Sequence, residues 1–292
     1  MLVTWFILDR VGWSLDQLGT VDPTLWTPEP LGLLAASVLL FAGYAGSAVI
    51  WGRMVSDLGG PRLPGWTSVQ LFMVANLGRY VPGKVWQIAG LAALARRRGV
   101  PASTATAAAV LGQGLALVAA TVVGLGALVG GPAGLASWPP WAAAGVAAGV
   151  VVGLLPPVFR RLAALWFRLA RQEEPEGLGS LQALGWLALY GVNWVVYAVA
   201  FWVLVASLGV DAPLLPVASA FAAAYVLGYV MIFAPAGLGV REGFLVALLT
   251  PHLGPGPSGA AAVVARLWTT GVELVPAALF WVRIVKEDGT GE

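Results

Sequence analysis

Residues 76–87 read NLGRYVPGKVWQ and place helix-breaking and charged residues inside an otherwise apolar region. A second stretch, residues 233–243, reads FAPAGLGVREG and repeats this composition. The prolines Pro82 and Pro235 of the two stretches lie 153 residues apart. Breaks beside charges at matching places in two halves of a membrane protein are a strong sequence signal for a substrate site. We call these stretches the first break and the second break.

The composition is that of an integral membrane protein. Hydrophobic residues make up 59% of the chain and charged residues 10%, with a mean hydropathy of +0.84. Transmembrane β-strands are alternating segments of only ~10 residues, whereas a membrane-spanning helix needs ~20 apolar residues. Charge-free runs of that length or longer cover residues 30–52, 99–159, 177–210, 212–240 and 243–265. We therefore predict a multi-pass, all-α membrane protein.

Several kinds of site are excluded by the composition. The chain has no cysteine and a single histidine, His252, which rules out thiolate chemistry and leaves only carboxylate-rich metal sites. No paired acidic cluster of that kind is visible, so we predict no catalytic residue, no metal and no cofactor. The net charge of +2 is too small to indicate a nucleic-acid partner.

The order of apolar segments divides the chain into two similar halves. The apolar arms beside each break include segments too short to cross the membrane alone, so each pair is predicted to be a re-entrant hairpin. The predicted order is an interfacial segment 1–30, then repeat one (31–129) with a span 31–51, a hairpin 63–78/81–95 and a span 102–129, then a linker helix 138–157, then repeat two (181–282) with a span 181–208, a hairpin 212–233/238–250 and a span 260–282, and finally a tail 286–292. The domain as a whole covers 31–285.

The basic residues indicate the orientation. Short cytoplasmic loops accumulate Lys and Arg. If each hairpin returns to the side it entered from, the opposite face receives only Arg10, and the cytoplasmic face receives Arg53, Arg62, Arg96, Arg97, Arg98, Arg160, Arg161, Arg168, Arg171, Arg283 and Lys286. The two hairpins then enter from opposite sides, which predicts inverted repeats in the cell inner membrane with the basic loops and the C-terminus cytoplasmic.

Six ionisable side chains fall inside apolar segments and sum to a surplus of positive charge. Each costs at least ~2.5 kcal/mol at the centre of a lipid-exposed helix, so we expect them to face the protein interior. Helices that restart after the breaks would direct free N–H groups at an anion such as phosphate. The predicted substrate-binding set is Asn76, Arg79, Pro82, Gly83, Lys84, Gln87, Gly237, Gly239, Arg241, Glu242, Arg266 and Glu273.

Less specific interpretations exist for most of these residues. Arg79 or Lys84 alone could be a cation that extends to the membrane surface near a helix end. Arg266 with Glu273, or Arg241 with Glu242, could form a structural ion pair. Other polar residues in apolar segments, Gln113 and Asn193, are predicted to make interhelical hydrogen bonds rather than to bind a ligand, and His252 is predicted to be inert in an outer loop. The joint occurrence of two breaks, two charge clusters and opposite sidedness favours the functional interpretation.

Three motifs in order resemble a known family. RYVPGKVWQIAG (79–90), APAGLGVREG (234–243) and ARLWTTGVELV (265–275) are similar to the lysylphosphatidylglycerol synthase transmembrane family, whose flippase-like domain occurs alone or fused to an aminoacyl-lipid synthase. The resemblance covers about 31–285. It implies that a lipid moves between leaflets and that one central site is formed by Arg79, Pro82, Gly83, Lys84, Gly239, Arg241, Glu242, Gly243, Arg266 and Glu273. We expect the chain to depart from the family pattern in two ways: it lacks the first transmembrane helix of the family, and it has no soluble synthase domain. The second departure argues against lipid aminoacylation.

The function predicted from the sequence is a flippase or transporter, not an enzyme. The re-entrant tips would meet near the midplane and bind the headgroup of an anionic partner lipid: a phospholipid, a glycolipid or a polyprenyl-phosphate. The alternative is a membrane-embedded enzyme, or an enzyme subunit, that acts on a lipid phosphate; a third hypothesis is a scaffold protein. A homo-oligomer and a separate lipid-modifying enzyme remain open as protein partners.

Overall fold

The computed structural model describes residues 27–81, 85–128, 161, 179–230 and 239–289. Within these ranges the chain forms eight α-helices, two 3₁₀ turns at Leu77–Tyr80 and Leu125–Leu128, and no strand. The helices are α1 Pro30–Asp57, α2 Gly65–Asn76, α3 Val85–Arg96, α4 Ala102–Gly124, α5 Ser180–Ala206, α6 Leu214–Val230, α7 Val240–Leu253 and α8 Pro255–Gly289. The predicted linker helix 138–157 and almost all of the interfacial segment lie outside the described residues.

Within the described ranges, four helices are long and apolar enough to cross a membrane. They are α1, α4 with its following turn, α5 and α8, and their apolar cores cover Pro30–Asp57, Ala102–Ala127, Leu181–Ala206 and Pro255–Lys286. Each leaves large apolar side chains such as Leu31, Val122, Val192 and Leu267 exposed, as helices in contact with lipid do. The four predicted spans are confirmed, and the protein is a multi-pass membrane protein.

Two pairs of shorter helices lie between the long ones in chain order. Helices α2 and α3 have 12 residues each, about 18 Å in length, and pack against each other with the turn Leu77–Tyr80 between them. Helices α6 and α7, with 17 and 14 residues, form the second packed pair. The short arms predicted around each break are therefore helices. The tips of both pairs, 82–84 and 231–238, lie outside the described residues.

Residues 251–259, which the predicted hairpin arm 238–250 and span 260–282 leave between them as a turn, are mostly helical. Pro251 and His252 belong to the last turn of α7, and Pro255 begins α8, so the turn is reduced to Gly254. Gly254 has φ of +80°, which glycine adopts without steric cost, and its N–H bonds to the carbonyl oxygen of Thr250 at 2.9 Å. Proline is compatible with the first turn of a helix because the N–H it lacks has no intrahelical partner there.

The described residues separate into two compact units. The first unit contains 27–43, 120–128, 194–230 and 239–271, and the second contains 44–81, 85–119, 161, 179–193 and 272–289. In the first unit the rings of Phe201 and Phe221 stack with centroids 4.8 Å apart. In the second unit the Asn193 side-chain N–H donates to Ser47 Oγ at 2.9 Å. The interhelical role predicted for Asn193 is confirmed.

Gly78 lets the backbones of the first helix pair approach closely. A Cβ at Gly78 would lie 2.6 Å from the backbone nitrogen of Gln87 and 2.6 Å from the carbonyl carbon of Trp86. Backbone atoms of a packed helix cannot shift as a flexible side chain can. We expect Gly78→Ala to lower the free energy of unfolding by about 1–3 kcal/mol or more, measured by thermal unfolding in detergent.

Gly90→Ala is the matched control in the same helix pair. Its added Cβ would lie 4.0 Å from the Cα of Ala75, an ordinary contact, and alanine favours a helix interior by roughly 0.5–1 kcal/mol over glycine. This variant should be as stable as the parent or more so. Equal stability of Gly78→Ala and Gly90→Ala would contradict the close approach at Gly78.

Candidate anion-binding clusters

The second unit contains a buried carboxylate that accepts three hydrogen bonds. Glu273, 4% exposed, accepts at Oε1 from the Arg79 guanidinium at 2.5 Å and from the Tyr44 hydroxyl at 2.5 Å. Its Oε2 accepts from the Tyr80 hydroxyl at 2.7 Å. We call these four side chains the Glu273 cluster. Three donors on one carboxylate compensate the loss of hydration on burial.

Three separate elements position the Glu273 cluster. Tyr44 lies in the middle of α1, Glu273 lies in α8, and Arg79 and Tyr80 occupy the 3₁₀ turn where α2 ends. The turn is followed by Val81, whose extended backbone (φ −86°, ψ 132°) agrees with the restriction that Pro82 places on the residue before it. The first break therefore holds Arg79 and Tyr80 in the turn that ends α2.

An amide pair joins the two helices of the first pair. The Gln87 side-chain N–H donates to Asn76 Oδ1 at 2.6 Å, which links the end of α2 to the start of α3. Asn76 is 1% exposed, and within the described part of the chain its Nδ2 group has no acceptor. Asn76 thus combines a structural hydrogen bond with a donor that the described residues do not satisfy.

The first unit contains the second buried carboxylate, Glu242, in the first turn of α7. It is 3% exposed, and its Oε2 accepts from the backbone N–H of Gly239 at 2.7 Å, which caps the helix start. Gly239 has φ of +79°, a conformation that favours glycine. The Arg266 guanidinium in α8 approaches Glu242 Oε1 at 3.6 Å. We call Arg241, Glu242 and Arg266 the Glu242 cluster.

Arg241 brings a second cation to the Glu242 cluster. Its guanidinium carbon lies 4.6 Å from the ring centroid of Phe221 and 5.9 Å from that of Tyr225 in α6, distances typical of cation–π contacts. Gly228 permits this approach, since a Cβ there would lie 3.0 Å from the Arg241 Cβ. A small cavity, with room for little more than a water molecule, is lined by Arg241, Glu242, Leu245, Ala262, Ala265, Arg266 and Thr269.

Residues 1–277 match the family model described as "Lysylphosphatidylglycerol synthase TM region". The chain belongs to this family. The resemblance inferred from the breaks is confirmed, and the match extends further toward the N-terminus than the predicted 31–285. A comparison with curated proteins gave no match.

Membership in the lysylphosphatidylglycerol synthase TM family connects the protein to membrane lipids, and both clusters lie within the matched residues. The structure brings Arg79 to Glu273, and Gly239 and Arg266 to Glu242. Arg241 lines the same cavity as Glu242, while Asn76 and Gln87 form their own pair. Four residues of the predicted site lie outside the described part of the chain: Pro82, Gly83, Lys84 and Gly237.

The sequence of this family member suggested two ion pairs, Arg266 with Glu273 and Arg241 with Glu242, and both are wrong. Glu273 pairs with Arg79 rather than with Arg266, and Arg266 pairs with Glu242. Positions seven apart share a helix face but lie about 10 Å apart along the axis, too far for direct contact. Arg241 and Glu242 are adjacent, so their side chains leave α7 in different directions.

The sequence did not predict two of the hydrogen-bond donors to Glu273. Tyr44 and Tyr80 each donate a hydroxyl to this carboxylate. Tyrosines of membrane proteins are expected mainly at the membrane surface, so a tyrosine in the middle of an apolar span, as Tyr44 is, was an available signal. Tyr80 lies beside Arg79 within the first break, and its polar group could have been included for that reason.

Proposed function

We propose that the protein moves an anionic lipid, such as a phospholipid, a glycolipid or a polyprenyl-phosphate, between membrane leaflets. The headgroup phosphate would bind to the arginines of the Glu242 cluster, or to Arg79 of the Glu273 cluster, each cluster being a candidate site by itself. Family membership supports a role with membrane lipids, and the partly buried arginines support recognition of an anion.

The observation that carries the proposal is the charge of the Glu242 cluster. Two guanidinium groups, Arg241 and Arg266, line one small cavity with a single carboxylate, Glu242. The residues that line this cavity carry more positive than negative charge, and interior cations of membrane proteins mark substrate pathways. A phosphate would place negative charge beside both guanidinium groups. It could bind Arg241 in competition with the aromatic rings and Arg266 in competition with Glu242.

The start of α7 adds a favourable field for an anion. The first N–H groups of a helix lack intrahelical partners, and the helix dipole places partial positive charge there. Glu242 satisfies the N–H of Gly239 in this structure, so the carboxylate occupies a position that suits an anionic oxygen. The cavity is too small for a phosphate as it stands, and the proposal therefore requires that binding widens it.

Residues of the break tips remain predicted contributors to the same chemistry. Lys84 would add a cation, Gly83 and Gly237 would let the backbone approach the phosphate, and Pro82 would interrupt the helix beside them. Asn76 would offer its unsatisfied Nδ2 donor. We also propose that the short helix pairs are re-entrant and that the two halves are inverted repeats, because the basic residues then gather on the cytoplasmic side.

Cysteine labelling tests the inverted arrangement, and the natural chain contributes no background because it has no cysteine. The test positions Ser103, Arg161, Asp211 and Pro255 are all exposed. In intact cells an impermeant thiol reagent should label Asp211→Cys and Pro255→Cys. Ser103→Cys and Arg161→Cys should react only after the membrane is permeabilised. Labelling of Asp211→Cys but not of Pro255→Cys would rule out a second helix pair that enters and leaves on the outer side.

Reconstitution separates a transporter from an enzyme that acts on a lipid phosphate. Purified protein in liposomes should expose a fluorescent phosphatidylglycerol of the inner leaflet to an impermeant quencher, beyond the rate in protein-free liposomes. Mass spectrometry of the recovered lipid should show an unchanged mass. A modified lipid together with an unchanged leaflet distribution would support the enzyme alternative and contradict transport.

A further inference from the structure

The Glu273 cluster contains two tyrosine hydroxyls in addition to the arginine that pairs with the carboxylate. Among the described residues Glu273 contacts three ionisable side chains: the Tyr44 hydroxyl from α1, and the Arg79 guanidinium and Tyr80 hydroxyl from the 3₁₀ turn. Only one of the three is a cation. Within the described part of the chain, Arg79 is therefore the contact that balances the charge of this carboxylate.

Arg79 is the accessible member of the ion pair. Its side chain is 28% exposed, whereas that of Glu273 is 5% exposed. An anion that reaches the cluster would meet the guanidinium before the carboxylate. Guanidinium groups bind phosphate through two parallel hydrogen bonds, so a headgroup phosphate can compete with Glu273 for Arg79.

We propose that Glu273 takes up a proton when a lipid phosphate binds Arg79, so that lipid movement is coupled to proton movement. This inference rests on the proposed function. Once Arg79 turns to the phosphate, Glu273 would be a buried anion without a cation, which is unfavourable. Protonation of Glu273 removes that charge.

The two tyrosines suit both protonation states. A tyrosine hydroxyl can donate to a carboxylate, and it can also accept a hydrogen bond from the O–H of a carboxylic acid. Tyr44 and Tyr80 therefore can satisfy Glu273 before and after it binds a proton. A cation in either position could serve only the ionised state, because it has no lone pair to accept with.

The exchange balances in charge. The empty cluster contains one guanidinium cation and one carboxylate anion. The loaded cluster would contain the guanidinium, a phosphodiester anion and a neutral carboxylic acid, so the net charge is zero in both states. The proton comes from water on the side where the lipid binds, and it returns to water when the phosphate leaves and Arg79 pairs with Glu273 again.

A pH gradient tests this coupling in the unmodified protein. In liposomes with the membrane potential held at zero, fluorescent phosphatidylglycerol should accumulate in the leaflet that faces the alkaline side, and a protonophore should abolish the accumulation. An even distribution despite continued translocation would overturn proton coupling and leave the proposed function intact. Absence of any translocation would overturn both.

Proton counting assigns the coupling to Glu273. In weakly buffered detergent solution, short-chain phosphatidylglycerol should cause uptake of about one proton per bound lipid in the parent, and none in Glu273→Gln. Asp57→Asn is the acidic control, since Asp57 accepts instead from the Trp186 indole N–H at 2.9 Å. No uptake in the parent, or uptake lost in Glu242→Gln and kept in Glu273→Gln, would show the assignment to be wrong.

Discussion

Arg241→Gln should weaken the binding of short-chain phosphatidylglycerol about ten- to a hundredfold, because a charge-assisted hydrogen bond to phosphate contributes roughly 1.5–3 kcal/mol. Thermal unfolding in detergent checks that the variant is folded, since Arg241 also makes cation–π contacts with Phe221 and Tyr225. Equilibrium binding in detergent measures the effect. Arg241→Lys should retain part of the affinity, because an ammonium keeps the charge without the planar fork.

Arg62→Gln is the matched control for this loss. Arg62 is exposed in the segment between α1 and α2 and carries the same charge as Arg241. Its removal should leave lipid affinity within about twofold, since contributions of exposed charges are small. Unchanged affinity in Arg241→Gln would mean that the cation–π contacts with α6 serve stability alone, and the substrate-site proposal for the Glu242 cluster would be wrong.

Glu273→Ala should be the most destabilising single change in the second unit, with a loss of about 3–5 kcal/mol. The substitution removes the carboxylate that accepts from Tyr44, Arg79 and Tyr80 at once, in a site that is buried or partly buried. Thermal unfolding in detergent measures the loss. Glu273→Gln should lower the free energy of unfolding by less, because its amide oxygen can still accept hydrogen bonds. We expect this variant to lose thermal stability before it loses lipid translocation.

A double substitution shows whether charge causes that loss. Arg79→Gln combined with Glu273→Gln removes both charges, so the pair should be less destabilised than the sum of the two single variants. Additive losses would indicate that Arg79 and Glu273 do not interact as the 2.5 Å contact implies.

The spans and breaks could be predicted because the membrane imposes them. A spanning helix needs ~20 apolar residues, so α1, α4, α5 and α8 were visible as long apolar runs. Proline and glycine beside charges likewise indicated the ends of the short helices. The turn near Gly254 was overestimated because proline is compatible with both a turn and the first turn of a helix.

The partners within the clusters could not be predicted, because they depend on packing between distant segments. The cost of an interior charge identified Arg79, Glu242, Arg266 and Glu273 correctly as buried or partly buried. It does not say which helix supplies the opposite charge. Tyr44 and Glu273 are 229 positions apart, and only the packing of α1 with α8 in the second unit joins them.

The central claim is that arginines of the buried clusters bind the lipid phosphate. A structure of the protein with short-chain phosphatidylglycerol tests this most directly. We predict the phosphate within hydrogen-bond distance of the Arg241 and Arg266 guanidinium groups, with the cavity beside Glu242 widened. A lipid bound elsewhere, with Arg241 still over Phe221 and Arg266 still beside Glu242, would contradict the account.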